Sequence, residues 1–449
     1  MKARSSSFNL LFLNSASETV SSFNEGLKRF LDQSVSPHHA VRKVSEALSE
    51  AGFILLDEKA EWDLEEGGKY FVVRGGSSIA AFTVGEKFQL ERGIRLLGAH
   101  TDSPVLAVKP QPDVKKEGLL QIGVEVYGGA LLNPWFDRDL SIAGRVSFLE
   151  EGKVLGSSLI NFSEPIAFIP SLAIHLDRDA NKNRSVNSQK HILPIVMHLT
   201  DDSSLDFKTL LKRQLERQHS SKKIDRILDY DLVLYDTQKA SYVGLESEFI
   251  ASARLDNLLS CYSCLQAMLA SDFQYPSLFI FNDHEEVGSA SNIGAQGPFL
   301  KDVLRRICRT EEAFIRTAQG SVLISTDNAH AIHPNFADRH DINHSPRLNA
   351  GPVIKVNSNQ RYATNSETAG LFRMLAHAVD VPVQTFVMRS DMRCGSTIGP
   401  ISAAETGIAT LDIGVPTLGM HSIRELAGYK DAHALFQVLK VFLDLKDIR

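Results

Sequence analysis

The apolar positions of this chain follow two rhythms. Residues 24–52 place Leu27, Phe30 and Leu31, then Val41, Val44 and Leu48, at helical spacing, which predicts helices with one buried stripe each. β-like runs follow at 69–74 and 79–83, and residues 94–99, IRLLGA, form a compact apolar run that stops at His100. A run without polar alternation suits a strand buried on both faces of a parallel sheet. Beyond residue 250 the rhythm returns. It predicts helices at 256–270, 298–308, 366–379 and 431–444, and strands at 277–282, 321–326, 383–388 and 408–413. The alternation predicts an α/β fold: a mixed, mostly parallel sheet sandwiched by helices.

Residues 107–245 have another texture. Short β-like runs at 119–126, 143–149 and 153–160 are punctuated by Gly128-Gly129, Asn133-Pro134 and Glu151-Gly152. Around 207–230 the pattern becomes a Lys/Arg-rich helix. This block reads as a β-rich insertion with its own small core. It interrupts a discontinuous domain made of residues 1–106 and 246–449. At about 150 residues per domain, 449 residues suit two or three units.

Composition narrows the classes. With 43% apolar and 23% charged residues the chain is an ordinary globular protein, and its net charge of −6 argues against a nucleic-acid partner, which needs a basic face. No apolar run reaches the roughly 18 residues of a membrane span. The N-terminal apolar patch, Leu10 to Leu13, is too short for the core of a secretory signal, so residues 1–22 read as an extension and the cytoplasm is the expected location. Four cysteines, Cys261, Cys264, Cys308 and Cys394, are too few for a disulfide framework. Cys261 and Cys264 form a CxxC without a second pair, inside a helical run, and are expected to be core thiols.

The chemistry lies where apolar runs stop. IRLLGA ends at His100, with Asp102 two residues on; SLFIFND runs into His284, Glu285 and Glu286; SVLIST ends at Asp327; PTLGM ends at His421. In open α/β sheets ligands bind beyond the carboxyl ends of the strands, so these endings would share one rim. Asp256 precedes a helix, where it can cap, bind metal, or both. Two histidines and three carboxylates make a nitrogen and oxygen set that suits zinc, or cobalt or manganese, and not an iron–sulfur cluster. Five ligands with one shared carboxylate supply three to each of two metals. Two Zn²⁺ ions, three carboxylates and a bridging hydroxide also balance in charge. Of the neighbours Glu285 and Glu286, one can ligate while the other faces the water as general base. Asp102 is placed to accept the second ring N–H of His100.

The segments GAHTDSP (98–104), YGGALLNPWFDRDLSIAGRV (127–146), FIASARLDNLLS (249–260), DHEEVGS (283–289), STDNAHAIHPN (325–335), GPVIKVNSNQRYATNSE (351–367), CGSTIGP (394–400) and GMHSIRELAG (419–428) resemble the aspartyl aminopeptidase family, among the co-catalytic zinc exopeptidases. The resemblance runs from about residue 23 to the end. It implies the zinc exopeptidase fold, with the insertion serving as lid and dimerisation domain. It also implies two zinc ions per subunit, His100 and Asp327 on one, Glu286 and His421 on the other, and Asp256 bridging. Glu285 matches the general base. His330, Lys355 and Tyr362 match substrate contacts, and His175 matches a histidine that reaches a neighbouring subunit's site. The implied activity is removal of N-terminal Asp or Glu from peptides, in a tetrahedral dodecamer built from dimers. Lys355 suits an acidic substrate group, which needs a cation in an enclosed pocket. A broader aminopeptidase or dipeptidase with the same metals is the near alternative, and a non-catalytic peptide-binding assembly protein the distant one. Arg393 departs from the family pattern, where a small residue is usual, and either edges the pocket or faces solvent.

Overall fold

The computed structural model describes residues 19–85, 90–151, 154–199, 205–219 and 223–448. The extension expected at the N-terminus lies mostly outside these residues.

A nine-stranded sheet forms the centre. Its four middle strands, in spatial order Ser277–Asn282, Arg95–His100, Val322–Thr326 and Ala409–Gly414, are parallel. Flanking strands bring antiparallel pairings: Ser78–Thr83 against Ser277–Asn282, and Val353–Val356 against Ala409–Gly414. The sheet is thus mixed with a parallel heart.

Side-chain alternation assigns each strand residue to one of two helical layers. Leu97, Phe279, Phe281, Ile324 and Leu411 face the helices Val20–Gln33, Pro37–Glu50, Leu255–Ala270 and Asp431–Leu443. Leu96, Leu278, Ile280 and Leu323 face Phe299–Cys308 and Glu311–Gly320. Both faces are covered, which is why these strands are mostly apolar on both sides. Local signals start the helices: Ser36 caps Pro37–Glu50 with proline in its first turn, and Asn365 forms a capping box with Thr368. Among the described residues no helix is long and apolar enough to cross a membrane.

The chain leaves His100, crosses Thr101–Pro104, and enters a second, six-stranded antiparallel sheet within residues 105–236. Its core gathers Leu106, Ile122, Trp135, Ile142, Phe148 and Leu211 around the helix Phe207–Gln218. The charged helix expected over 207–230 is shorter than its pattern suggested. It ends at Gln218, and Ile224–Asp236 is a strand paired along Leu140–Glu150. Ile224, Ile227, Leu232 and Leu234 are buried there, so sheet pairing and burial override the local helical charge pattern. A third, five-stranded sheet includes Phe249–Ser252, Glu425–Gly428 and Pro416–Leu418 and supports the turn that carries His421.

His39 provides a test of the packing. Its ring is buried against Ser36 Oγ at 2.8 Å, and burial pushes its pKa from 6.5 down to about 3. Below pH 6.5 the unfolded chain takes up this proton and the folded chain does not. Stability is therefore lost as pH falls from 6.5 toward 3, by up to about 1.4 kcal/mol per pH unit from this group. In urea unfolding, His39→Gln is expected to flatten the pH dependence between 6.5 and 4.5, and an unchanged slope would refute it.

Candidate active site

The parallel strands deliver His100 and Asp327 to one rim. Strand Arg95–His100 ends in His100 itself, Val322–Thr326 ends just before Asp327, and Ser277–Asn282 leads through Asp283-His284 into the short 3-10 turn Glu285–Val287. His421 lies just after the strand Pro416–Leu418 of the third sheet. Three overlapping groups result: His100 with Asp256 and Asp327, His100 with Glu285 and Glu286, and Asp256 with Glu286 and His421. Within each group the potential ligand atoms lie within 4.8 Å of one another.

Asp256 joins the groups through its two oxygens. Oδ1 lies 3.5 Å from His100 Nε2, and Oδ2 lies 3.7 Å from His421 Nε2. His100 Nε2 is also 3.6 Å from Asp327 Oδ1, and His421 Nε2 is 3.3 Å from Glu286 Oε2. Asp256 does not cap its helix. It sits in a kink, with φ −81° and ψ 106°, and its backbone N–H donates to Glu425 Oε2 at 2.9 Å.

Each histidine is turned by its other nitrogen. His100 Nδ1 faces only acceptors of Asp102, the carbonyl at 3.0 Å and Oδ1 at 3.3 Å, so Nδ1 carries a proton and Nε2 is the nitrogen turned toward Asp256 and Asp327. Asp102 also accepts the backbone N–H groups of Glu285 and Glu286, each at 3.1 Å. It therefore orients a histidine and fixes the turn that displays both glutamates. Glu425 does the same on the other side, accepting from Asp256 N at 2.9 Å and His421 N at 2.8 Å. His284 and His421 both hold a left-handed backbone, φ 66°, in the turns that present these groups.

The electrostatics call for positive charge. Burial raises the carboxyls of Asp256 and Glu286, and the neighbouring carboxylates raise them further. Burial and the carboxylates of Asp327, Asp102 and Asp256 outweigh His100 and push Glu285 up to about 8. Asp327 goes the other way: burial would raise it, but the Lys355 ammonium and His100 hold it low. Asp256 Oδ1 and Glu286 Oε1 are buried without a hydrogen-bond donor. Buried carboxylate oxygens need a partner, and a divalent cation suits this oxygen and nitrogen set. The residues present fit metal ions.

The remaining expected residues divide. Lys355 Nζ is buried and donates to Asp327 Oδ2 and the Asn328 carbonyl, both at 3.2 Å, and lies 5.1 Å from the Tyr362 ring. His330 packs edge-on against Phe386, which shares a small apolar cluster with Tyr362. His175 is exposed in the insertion, and among the described residues no hydrogen bond or ion pair links it to this cluster. Arg393 is exposed. Cys261 and Cys264 are buried thiols under the rim, donating to the His100 carbonyl and facing Thr326 Oγ1. Reading the sequence missed Glu425, Tyr127 and Gly129. Gly129 stood in the sequence only as part of the Gly128-Gly129 turn signal, and Glu425 only as the acidic neighbour of Arg424 four positions after His421.

A metal-binding hydrolase built on the zinc exopeptidase fold is the class that this sheet and rim define. A model of the family described as aminopeptidase I zinc metalloprotease (M18) matches residues 30–443, and the chain belongs to that family of metalloaminopeptidases. The chain is 55% identical over 425 residues to a probable M18 family aminopeptidase 2 of Pseudomonas fluorescens, covering 95% of this chain and 99% of that one. It is 56% identical over 419 residues to the same-named protein of Azotobacter vinelandii, covering 93% and 97%. Among solved structures, Ape4 in its complex with Nbr1 aligns with a TM-score of 0.91 at 39% identity, covering 95% of this chain and 86% of that one. The mApe1 dodecamer of S. cerevisiae aligns with a TM-score of 0.80 at 29% identity, covering 93% and 95%.

Glu425→Ala leaves two buried N–H groups without an acceptor. It is expected to destabilise the metal-free chain by about 2 kcal/mol or more in urea and to weaken zinc binding about 10-fold. Glu425→Gln, which keeps one acceptor oxygen, is expected to fall between the two. Wild-type values for the alanine variant would refute the assignment.

Proposed function

We propose that the chain is an aminopeptidase that uses two zinc ions and prefers peptides with N-terminal Asp or Glu. The observation that carries the two-metal reading is Asp256, whose two oxygens face two separate histidine–carboxylate groups. His100, Asp327 and Asp256 would hold one ion, and Glu286, His421 and Asp256 the other; manganese or cobalt suits the same donors. When bound, such a pair polarises the scissile carbonyl and lowers the pKa of bound water.

The chain's own groups supply the rest. Glu285 sits in the same cluster as His100 and Glu286, and a carboxylate there accepts the proton of the attacking water and returns it to the leaving amine. Asp102 keeps Glu285 in place through its backbone N–H. His330 is the side chain proposed to donate to the developing oxyanion. Tyr362 and Lys355 form the wall that meets the first side chain of the substrate. Lys355 has two acceptors and three N–H groups, so one remains for an acidic side chain.

One observation favours a broader specificity: the Lys355 ammonium is already paired with Asp327. Asp-, Glu-, Leu- and Ala-chromogenic substrates, each with added Zn²⁺, Mn²⁺ or Co²⁺, separate the readings. Preference for leucine over aspartate would overturn the acidic one. Lys355→Met is expected to reduce kcat/KM on the Asp substrate by about 30-fold or more, with metal content measured alongside because Lys355 touches Asp327.

Glu285→Gln is expected to retain both metals and lose about 100- to 10,000-fold in kcat. Normal turnover would remove Glu285 from its role.

The proposal extends to assembly in the cytoplasm. Leu172, Ile174 and Leu176, on either side of His175, are 60%, 47% and 75% exposed, an apolar segment that water solvates poorly. The yeast relative is a dodecamer. We assign the insertion to dimerisation and to a lid that delivers His175 to a neighbouring subunit, within a tetrahedral dodecamer. Ile174→Glu combined with Leu176→Glu is expected to reduce the mass measured by light scattering and to lower activity. An unchanged assembly would exclude this surface.

A further inference from the structure

Three consecutive residues of the insertion touch the candidate metal cluster or the Asp102 carboxylate behind it, and none carries a carboxylate, imidazole or thiol. They close the strand Leu119–Tyr127. The Tyr127 hydroxyl donates to Asp102 Oδ2 at 2.6 Å. Gly128 lies against Glu286; a Cβ there would come within 3.1 Å of the Glu286 Cβ, and its φ of 69° also favours glycine. The Gly129 carbonyl accepts from His421 Nδ1 at 3.2 Å. Two residues on, the Leu131 N–H donates to the His421 carbonyl at 3.0 Å. Ile423, from the same turn as His421, is buried in the core of the insertion rather than in that of the main domain.

We propose that Tyr127–Gly129 is a positioning clasp through which the inserted sheet orients both ligand histidines, His421 directly and His100 by way of Asp102. The proposal rests on the two-metal reading above. A histidine ligand is fixed in tautomer and direction by what its second nitrogen meets. Here the Gly129 carbonyl receives the Nδ1 proton of His421, so its Nε2 lone pair points toward Glu286 and Asp256. On the other side Asp102 has four donors: His100, the Glu285 and Glu286 N–H groups, and Tyr127. Three of them belong to the main domain. The Tyr127 hydroxyl is the donor that the insertion contributes, and it locks the carboxylate's rotation from the far side. Without it, Asp102 Oδ2 keeps only the Glu286 N–H, and the carboxylate that sets His100 and the glutamate turn is held less firmly. Among the described residues Tyr127 makes its hydrogen bond to Asp102 and its ring contact to His284, and none to His330, Lys355 or Tyr362, so its influence falls on the metal ligands and the base rather than on substrate capture.

The test uses the full-length chain, with zinc affinity measured by chelator competition alongside steady-state kinetics. Tyr127→Phe keeps the ring and removes the O–H. It is expected to weaken zinc binding about 10-fold and to lower kcat about 10-fold, with KM changed less than about twofold. Because Tyr127 acts through Asp102, adding Tyr127→Phe to Asp102→Asn should cost little beyond Asp102→Asn alone, whereas a merely structural tyrosine would give additive losses. Gly129→Ala, whose added Cβ would lie 3.2 Å from His421 Nδ1, is the independent variant. It should weaken one zinc equivalent selectively, and it decides the matter if Tyr127→Phe does not fold. Wild-type zinc affinity and kcat in Tyr127→Phe, additive losses with Asp102→Asn, or two intact zinc equivalents in Gly129→Ala would overturn the clasp. A Glu285→Gln variant that holds two zinc ions and does not turn over would leave the two-metal reading standing in that event. A wild-type chain that binds fewer than two zinc ions would instead overturn the reading itself.

Discussion

Four carboxylates, Asp256, Glu285, Glu286 and Asp327, are held together at the rim of the central sheet, mostly out of water. Ionised together, like charges about 4 Å apart would repel by about 4 kcal/mol per pair at an effective dielectric of 20, and with burial this holds Asp256, Glu285 and Glu286 above the usual carboxylate range. No chain collapses onto such a cluster for its own sake. The rest of the local architecture resists that repulsion: strands that end together, turns held at left-handed backbone angles, and buried acceptors that grip the backbone behind each charged side chain. Divalent cations would reverse the sign of the interaction, so the groups that oppose folding of the empty rim become ligands of a filled one.

Resistance is shared between two carboxylates that stand behind the cluster. Asp102 takes the ring of His100 and the backbone of Glu285 and Glu286; Glu425 takes the backbone of Asp256 and His421. Each ties together two chain segments that are far apart in sequence, so neither half of the rim can shift alone. Lys355 offsets part of the negative charge at Asp327. On the proposed reading the same ammonium would face two demands, steadying Asp327 and meeting an acidic substrate group.

The inserted sheet is joined to this rim more closely than a peripheral module would be. The four-residue crossing from His100 to Val105 contains Asp102, and the His421 turn shares the insertion's core through Ile423. Movement of the insertion is therefore mechanically linked to the geometry of the rim.

Much of this was legible in one dimension. Buried parallel strands are mostly apolar, so their ends are sharp, and the polar residues after each end stand out: His100, the Asp283–Glu286 stretch and Asp327; His421 follows a strand end of the third sheet in the same way. Nitrogen and oxygen donors without thiolate narrow the metals, and the motif resemblance named the family before any coordinates. Tertiary structure decided what periodicity cannot carry. Residues 224–236 became a strand because Leu140–Glu150 offered a pairing edge that local charge pattern does not register. Asp256 left its cap position because Glu425, 169 residues away, accepts its N–H. Lys355 turned to Asp327, and Tyr127 and Gly129 reached Asp102 and His421, through hydrogen bonds that exist only once the order of strands is set. A sequence marks which side chains can bind a cation; which nitrogen points inward depends on acceptors that arrive from elsewhere in the fold.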